Sequence, residues 1–260
     1  MSVVRWIIGS KLMKLFESFR MTKLALQFCM ATSLTLLSSM AAAVPILQLG
    51  IGGGSYDGTT ETIVTSSNTF TLYAYAKATG NKAIDVNESH FVSIALTPQI
   101  GPGPEPFGSF QFEGSSYDID SPEVMYGNPP LEDYLDKDPG DLSTHGQFPT
   151  YYMEYEFLFS SSMTTGTVNT QDSPSHVPTG SGSDLYFAAF EVDVTNLLPG
   201  YGLHFDLYNA KLKNNGDVDI DNFAPFSHDA GTVASTVPEP SILLLLLTAL
   251  AGQALIRRQA

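Results

Sequence analysis

Between residues 44 and 237 apolar and polar side chains alternate in short runs, broken repeatedly by glycine, proline, asparagine and serine. A period of two is the mark of strands that bury one face. Ile46 to Ile51 places Leu47, Leu49 and Ile51 on one side, and Gly52-Gly53-Gly54 ends the run. Thr59 to Val64 predicts a second strand, with a turn at Ser66-Ser67-Asn68. The clearest strand is Thr69 to Ala78, where Phe70, Leu72, Ala74 and Ala76 oppose Thr71, Tyr73 and Tyr75. Phe91 to Leu96 follows, and Gly101-Pro102-Gly103-Pro104 forbids its continuation. Phe107 to Phe112 reads as a short edge strand, and Tyr151 to Phe159 as a strand with Met153, Tyr155, Phe157 and Phe159 opposite Tyr152, Glu154 and Glu156. Leu185 to Val194 and Tyr201 to Lys213 are two long strands, and Asn196 to Gly200 between them predicts a hairpin. Pro122 to Pro149 and the Ser/Thr-rich Ser160 to Ser183 read as loops, the second solvated. With no helical period in this region, the expectation is an all-β fold: a single β-sandwich, jelly-roll or immunoglobulin-like.

Both ends break the pattern. Met21 and Lys23 open an apolar stretch from Leu24 to Met40, and Ala41-Ala42-Ala43 supplies a small-residue cleavage site before Val44. That is the anatomy of a secretory signal helix. Arg5, Lys11, Lys14 and Arg20 either extend its positive region or precede a true start at Met21. At the other end Val237-Pro238-Glu239-Pro240 leads into Ile242, Leu243, Leu244, Leu245, Leu246 and Leu247, then through Leu250 to Ile256, and stops at Arg257-Arg258. No face of such a helix can turn to water, and the arginines act as a cytoplasmic stop. Ser241 to Ile256 is sixteen residues, a helix of ~24 Å. A bilayer core is about 30 Å thick, so the segment suits a temporary hold. The chain is thereby expected to comprise an N-terminal signal (1–43), a β-sandwich ectodomain (44–236) and a C-terminal transmembrane segment (237–260).

The Val-Pro-Glu-Pro lead-in, short apolar helix and terminal basic pair resemble the PEP-CTERM sorting signal of biofilm-forming bacteria. The resemblance implies export through the Sec machinery, a membrane-anchored precursor, and processing by an exosortase at Pro238, Glu239 and Pro240. It implies release to the cell surface or extracellular matrix. Two prolines favour an extended, non-helical strip, which a membrane protease needs. The stretches 47–51, 69–74, 202–209 and 224–230 also resemble the exported domains called choice-of-anchor N proteins, in which a common ectodomain carries alternative anchors. That likeness implies no catalytic residues.

Charge narrows the function further. From Val44 to Val237 there are five lysines against twenty-five acidic residues. Such a surface repels nucleic acid and anionic lipid and suits a soluble extracellular body or one that meets divalent cations. The only cysteine, Cys29, lies inside the signal, so the processed protein has neither thiol catalysis nor disulfides.

Candidate chemistry is sparse. No Gly-x-Ser-x-Gly elbow and no His-Glu-x-x-His helix occur. The histidines lack ligand spacing, though His204 and Asp206 would share a strand face and His228-Asp229 are adjacent; either pair suits a metal site, a dyad or an ordinary hydrogen bond. Asp217, Asp219 and Asp221 match the first half of a calcium loop, but Asn222 and His228 stand where its glycine and glutamate belong. A solvated acidic edge is their plainer reading. Glu154 and Glu156 could form a glycosidase pair, and Tyr73, Tyr75, Tyr151 and Tyr152 could stack sugars. The expectation is a non-enzymatic surface protein without cofactor other than a possible calcium ion. Its alternatives are an exopolysaccharide-binding module and a secreted hydrolase.

Overall fold

The computed structural model describes residues 44–103, 106–129, 148–212, 218–219 and 222–233. The chain divides into two units at Ala43/Val44, and all described residues belong to the second. Among the described residues the strands are β1 (Leu47–Ile51), β2 (Ser55–Asp57), β3 (Thr62–Thr65), β4 (Thr69–Lys77) and β5 (Ser89–Thr97). Next come β6 (Ser109–Phe112), β7 (Ser115–Asp118), β8 (Met125–Gly127), β9 (Thr150–Phe157) and β10 (Thr164–Thr165). The last are β11 (Leu185–Asp193), β12 (Gly202–Leu212), β13 (Val218–Asp219) and β14 (Asp229–Thr232), the last preceded by a 3-10 turn at Phe226–His228. No helix among the described residues is long and apolar enough to cross a membrane. The signal site at Ala41 and Ala43 and the whole tail from Val237 lie outside them.

The body is all-β and sandwich-like. One sheet runs β1-β4-β11-β6-β7, with β10 on β11; the other runs β2-β3-β14-β12-β5-β9-β8, with β13 on β12. Alternation on each strand directs one face into a shared core. Leu47, Leu49, Ile51, Phe70, Leu72, Phe112 and Phe190 come from the first sheet, and Val92, Ile94, Leu96, Met153, Phe205 and Leu207 from the second. Aromatic rings lock the two layers edge to face. Phe70 meets Phe205 at 6.1 Å, Phe112 meets Tyr155 at 4.8 Å, and Phe190 meets Phe157 at 5.0 Å.

Several expectations need correction. Asn196 to Gly200 does not close a hairpin: β11 lies in the first sheet and β12 in the second, so the connection passes between layers. Its polar turn residues are equally suited to either path. Phe107 to Phe112 is not an edge, because β7 adds outside β6. Within Pro122 to Pro149, Met125–Gly127 pairs with β9; residues 130–147 lie outside the described residues. The Ser160 to Ser183 segment is not simply solvated. Val168, Thr165 and Thr170 are buried, and Gln48 on β1 holds the segment through Nε2–H donated to the Val168 carbonyl (2.8 Å) and Oε1 accepting from Thr170 N–H (2.9 Å). That cover explains why Tyr75, on the expected polar side of β4, is fully buried.

Candidate functional site

The second sheet has an unusual outer face. On β12 the odd positions Leu203, Phe205 and Leu207 enter the core, so His204, Asp206 and Tyr208 turn the other way. That outer face is nevertheless buried at Asp206, Tyr208, Ser93 and Tyr152. Pairing with β5 sets Asp206 opposite Ser93, and pairing of β5 with β9 sets Ser93 opposite Glu154. On the other flank His204 pairs with Gly231 and Phe205 with Ala230, which brings Asp229 up beside Asp206. A polar row therefore crosses four strands: Asp229, Asp206, Ser93 and Glu154, with His204 next to it.

The geometry at the centre of the row is tight. His204 Nε2 lies 3.4 Å from Asp206 Oδ1 and 3.9 Å from Asp229 Oδ2, and one donor atom from each residue falls within 4.8 Å of the others. Asp229 is 0% exposed and Asp206 3%, while the His204 side chain is 26% exposed. Burial opposes the imidazolium, but the charge of Asp206 and its hydrogen bond outweigh that and leave His204 above the usual histidine range. Burial, and then the neighbouring charge of Asp206, push the Asp229 carboxyl far above the usual carboxylate range. Among the described residues this is the group of histidine and acidic side chains able to converge on one ion.

Glu154 closes the row. Tyr208 donates its hydroxyl to Glu154 Oε2, and Tyr208 itself is stacked between Phe91 (5.2 Å) and Phe223 (5.8 Å). Burial pushes Glu154 up to about 8, against the Tyr208 hydrogen bond and with help from the charge of Asp206. Ser93 Oγ is close enough to favour the Glu154 anion, yet makes no hydrogen bond of ordinary geometry.

The two histidine–aspartate pairs legible in the sequence are thus regrouped. Asp229 leaves its neighbour His228 and joins His204 and Asp206. His228 instead accepts from or donates to Ser227 Oγ (2.8 Å) through Nδ1 and meets Asn169 Oδ1 (3.0 Å) through Nε2. Burial holds its pKa below the usual range, so a neutral ring pins the 3-10 turn to the Ser/Thr-rich segment. Glu156 does not join Glu154 in the buried row: it is exposed and accepts from Ser89 Oγ (2.5 Å). The four tyrosines do not form one solvent-facing platform, since Tyr75 and Tyr152 are buried and the pairs Tyr73–Tyr75 and Tyr151–Tyr152 belong to different sheets. Asp219 pairs with Lys211 at the end of β12, whereas Asp217, Asp221 and the acidic Glu132 to Asp141 stretch lie outside the described residues.

Chemically the row can hold a proton or an ion. A glycosidic oxygen must come within ~3 Å of its acid, and Glu154 Oε1 and both Asp229 carboxylate oxygens are buried from solvent. The chain matches no protein-family model, no curated protein and no solved structure.

Proposed function

We propose that the protein is an exported cell-surface or matrix component without enzymatic activity, held briefly in the membrane by residues 237–260 and released by an exosortase at Pro238-Glu239-Pro240. In this reading a β-sandwich ectodomain is the cargo, and the two apolar ends are addresses. One observation carries it: every described strand falls between Leu47 and Thr232. Cleavage after Ala43 and cleavage near Glu239 would both leave the two sheets whole. The acidic body supports the same reading, because twenty-five carboxylates against five lysines keep a released protein soluble in an anionic polysaccharide matrix. Fractionation with intact-mass analysis tests it. The expected mature form begins at Val44 and lacks Ile242 to Ile256, and Pro238→Ala with Pro240→Ala leaves an uncut, membrane-bound precursor. A native form that retains both ends, or a double variant that is processed normally, overturns it.

A further inference from the structure

We propose that His204, Asp206 and Asp229 bind a single divalent transition-metal ion on the outer face of the second sheet. The backbone brings them together. His204 and Asp206 are two apart on β12, and the β12–β14 register sets Asp229 alongside. Gly231, the partner of His204, adds no side chain to the space beside the imidazole. Zinc with ligand bonds of ~2.1 Å in a tetrahedron needs donors ~3.4 Å apart. The His204–Asp206 separation is 3.4 Å, and the remaining donors must close by less than an ångström and a half from at most 4.8 Å.

Electrostatics asks for a positive charge there. Two carboxylates lie buried side by side against one partly exposed imidazole that is within reach of both, and charge is costly to bury unless it is paired or coordinated. A second observation does not involve the three donor side chains. Ser93 is 0% exposed, stands opposite Asp206 across the β5–β12 pair, and its Oγ makes no hydrogen bond of ordinary geometry; Glu154 Oε1, one strand further, is likewise buried without one. A transition ion keeps water in its open positions, and these are the groups that such water would meet. The donor set chooses among ions. One imidazole nitrogen and two carboxylates suit zinc, manganese or cobalt, whereas calcium requires six to eight oxygens. The partly exposed edge of His204 gives a small ion a way in that a sugar ring lacks.

The test uses the full chain in mild detergent, stripped with chelator, with melting curves and calorimetric titration against Zn2+, Mn2+ and Ca2+. The expected result is one equivalent of Zn2+ or Mn2+ bound, with a rise in melting temperature that chelator reverses. Disturbing groups that merely orient metal ligands costs about 10- to 100-fold in affinity, so Asp229→Asn and His204→Gln should each lose at least about tenfold. Asp229→Asn replaces the buried carboxyl by an uncharged group of the same shape and is expected to fold without metal, which separates lost binding from lost structure. Equal shifts in the wild-type chain and Asp229→Asn overturn the proposal. So does stabilisation by Ca2+ alone, or a shift abolished by Asp219→Asn but kept in Asp229→Asn. A melt indifferent to every metal also refutes it.

Discussion

Glu154→Gln should flatten the dependence of stability on pH. In the fold Glu154 releases its proton at about 8, against 4.5 for the ordinary side chain, chiefly because burial disfavours the anion. The raised value means that the native state binds this proton more tightly than the unfolded chain does. Its contribution is therefore fully present below about 4.5 and disappears as pH rises through about 8. Between these limits the native state holds nearly one extra proton, which corresponds to ~1.4 kcal/mol lost per pH unit. From pH 5 to pH 8 the loss comes to about 3.5 kcal/mol. Glutamine mimics the protonated carboxyl: its amide oxygen can still accept from the Tyr208 hydroxyl, and it never ionises. Urea unfolding of wild-type and Glu154→Gln chains, with chelator present, should give midpoints that nearly coincide at pH 5 and separate by pH 8, the variant being more stable. Asp229 and His204 titrate in both proteins, so the difference between the curves isolates Glu154. Parallel curves from pH 5 to pH 8 would show that Glu154 is solvated in the fold and refute the reasoning.

Two further substitutions probe the scaffold. Gly108 has φ +90° and bridges to Leu197; a Cβ there would strike the Asn196 carbonyl oxygen and lie 3.0 Å from Leu197 Cα. Gly108→Ala should therefore cost more than ~2 kcal/mol, and an unchanged urea midpoint would count against this close approach. Gln48→Ala removes the side chain that ties the Ser/Thr-rich segment to β1 and leaves the Val168 carbonyl and Thr170 N–H without it. A loss of about 3 kcal/mol is expected from two such buried groups, with faster proteolysis between Val168 and Val177. Unaltered cleavage there would place the hold elsewhere.

The long strands were legible because they contain several full alternations. Phe70, Leu72, Ala74 and Ala76 on β4 are all buried as the pattern requires, and Phe205 and Leu207 on β12 follow the same rule. Strands β2, β8, β10, β13 and β14 have two to four residues each, too few for a period to declare itself. They form because an existing edge offers unpaired backbone groups. The same limit hid the site. His204 and Asp206 announced a shared face, but Asp229 reaches them only through a β12–β14 pairing that no local signal specifies. Its neighbour His228 was the obvious companion and is turned to Asn169 instead. A usable clue lay in β12 itself, whose even positions His204, Asp206 and Tyr208 are polar or amphipathic within a strand too long to be a mere edge.

Why the row exists is the more instructive question. A two-layer body needs only one buried face per sheet, and where the first sheet also buries its outer side it does so chiefly with apolar and aromatic side chains, Tyr75, Leu185 and Phe187 beneath Val168. The second buries its outer face as well, and fills it with Asp206, Asp229, Ser93 and Glu154 where leucine or valine would fold more stably. A chain with twenty-five acidic residues in this body has ample surface on which to solvate them. Placing three in one line, with His204 beside two of them, is costly in a desolvated face unless the carboxyl groups are neutralised. Solubility explains the acids on the surface, and core packing explains the apolar faces, but neither explains this line. Replacing Asp206 and Asp229 together by asparagine removes both carboxyl groups while keeping their shape. The double variant should therefore fold without metal but lose the Zn2+-dependent rise in melting temperature, and stay less stable than the wild type saturated with Zn2+, an ordering in which the ion, not the fold, accounts for the carboxylates.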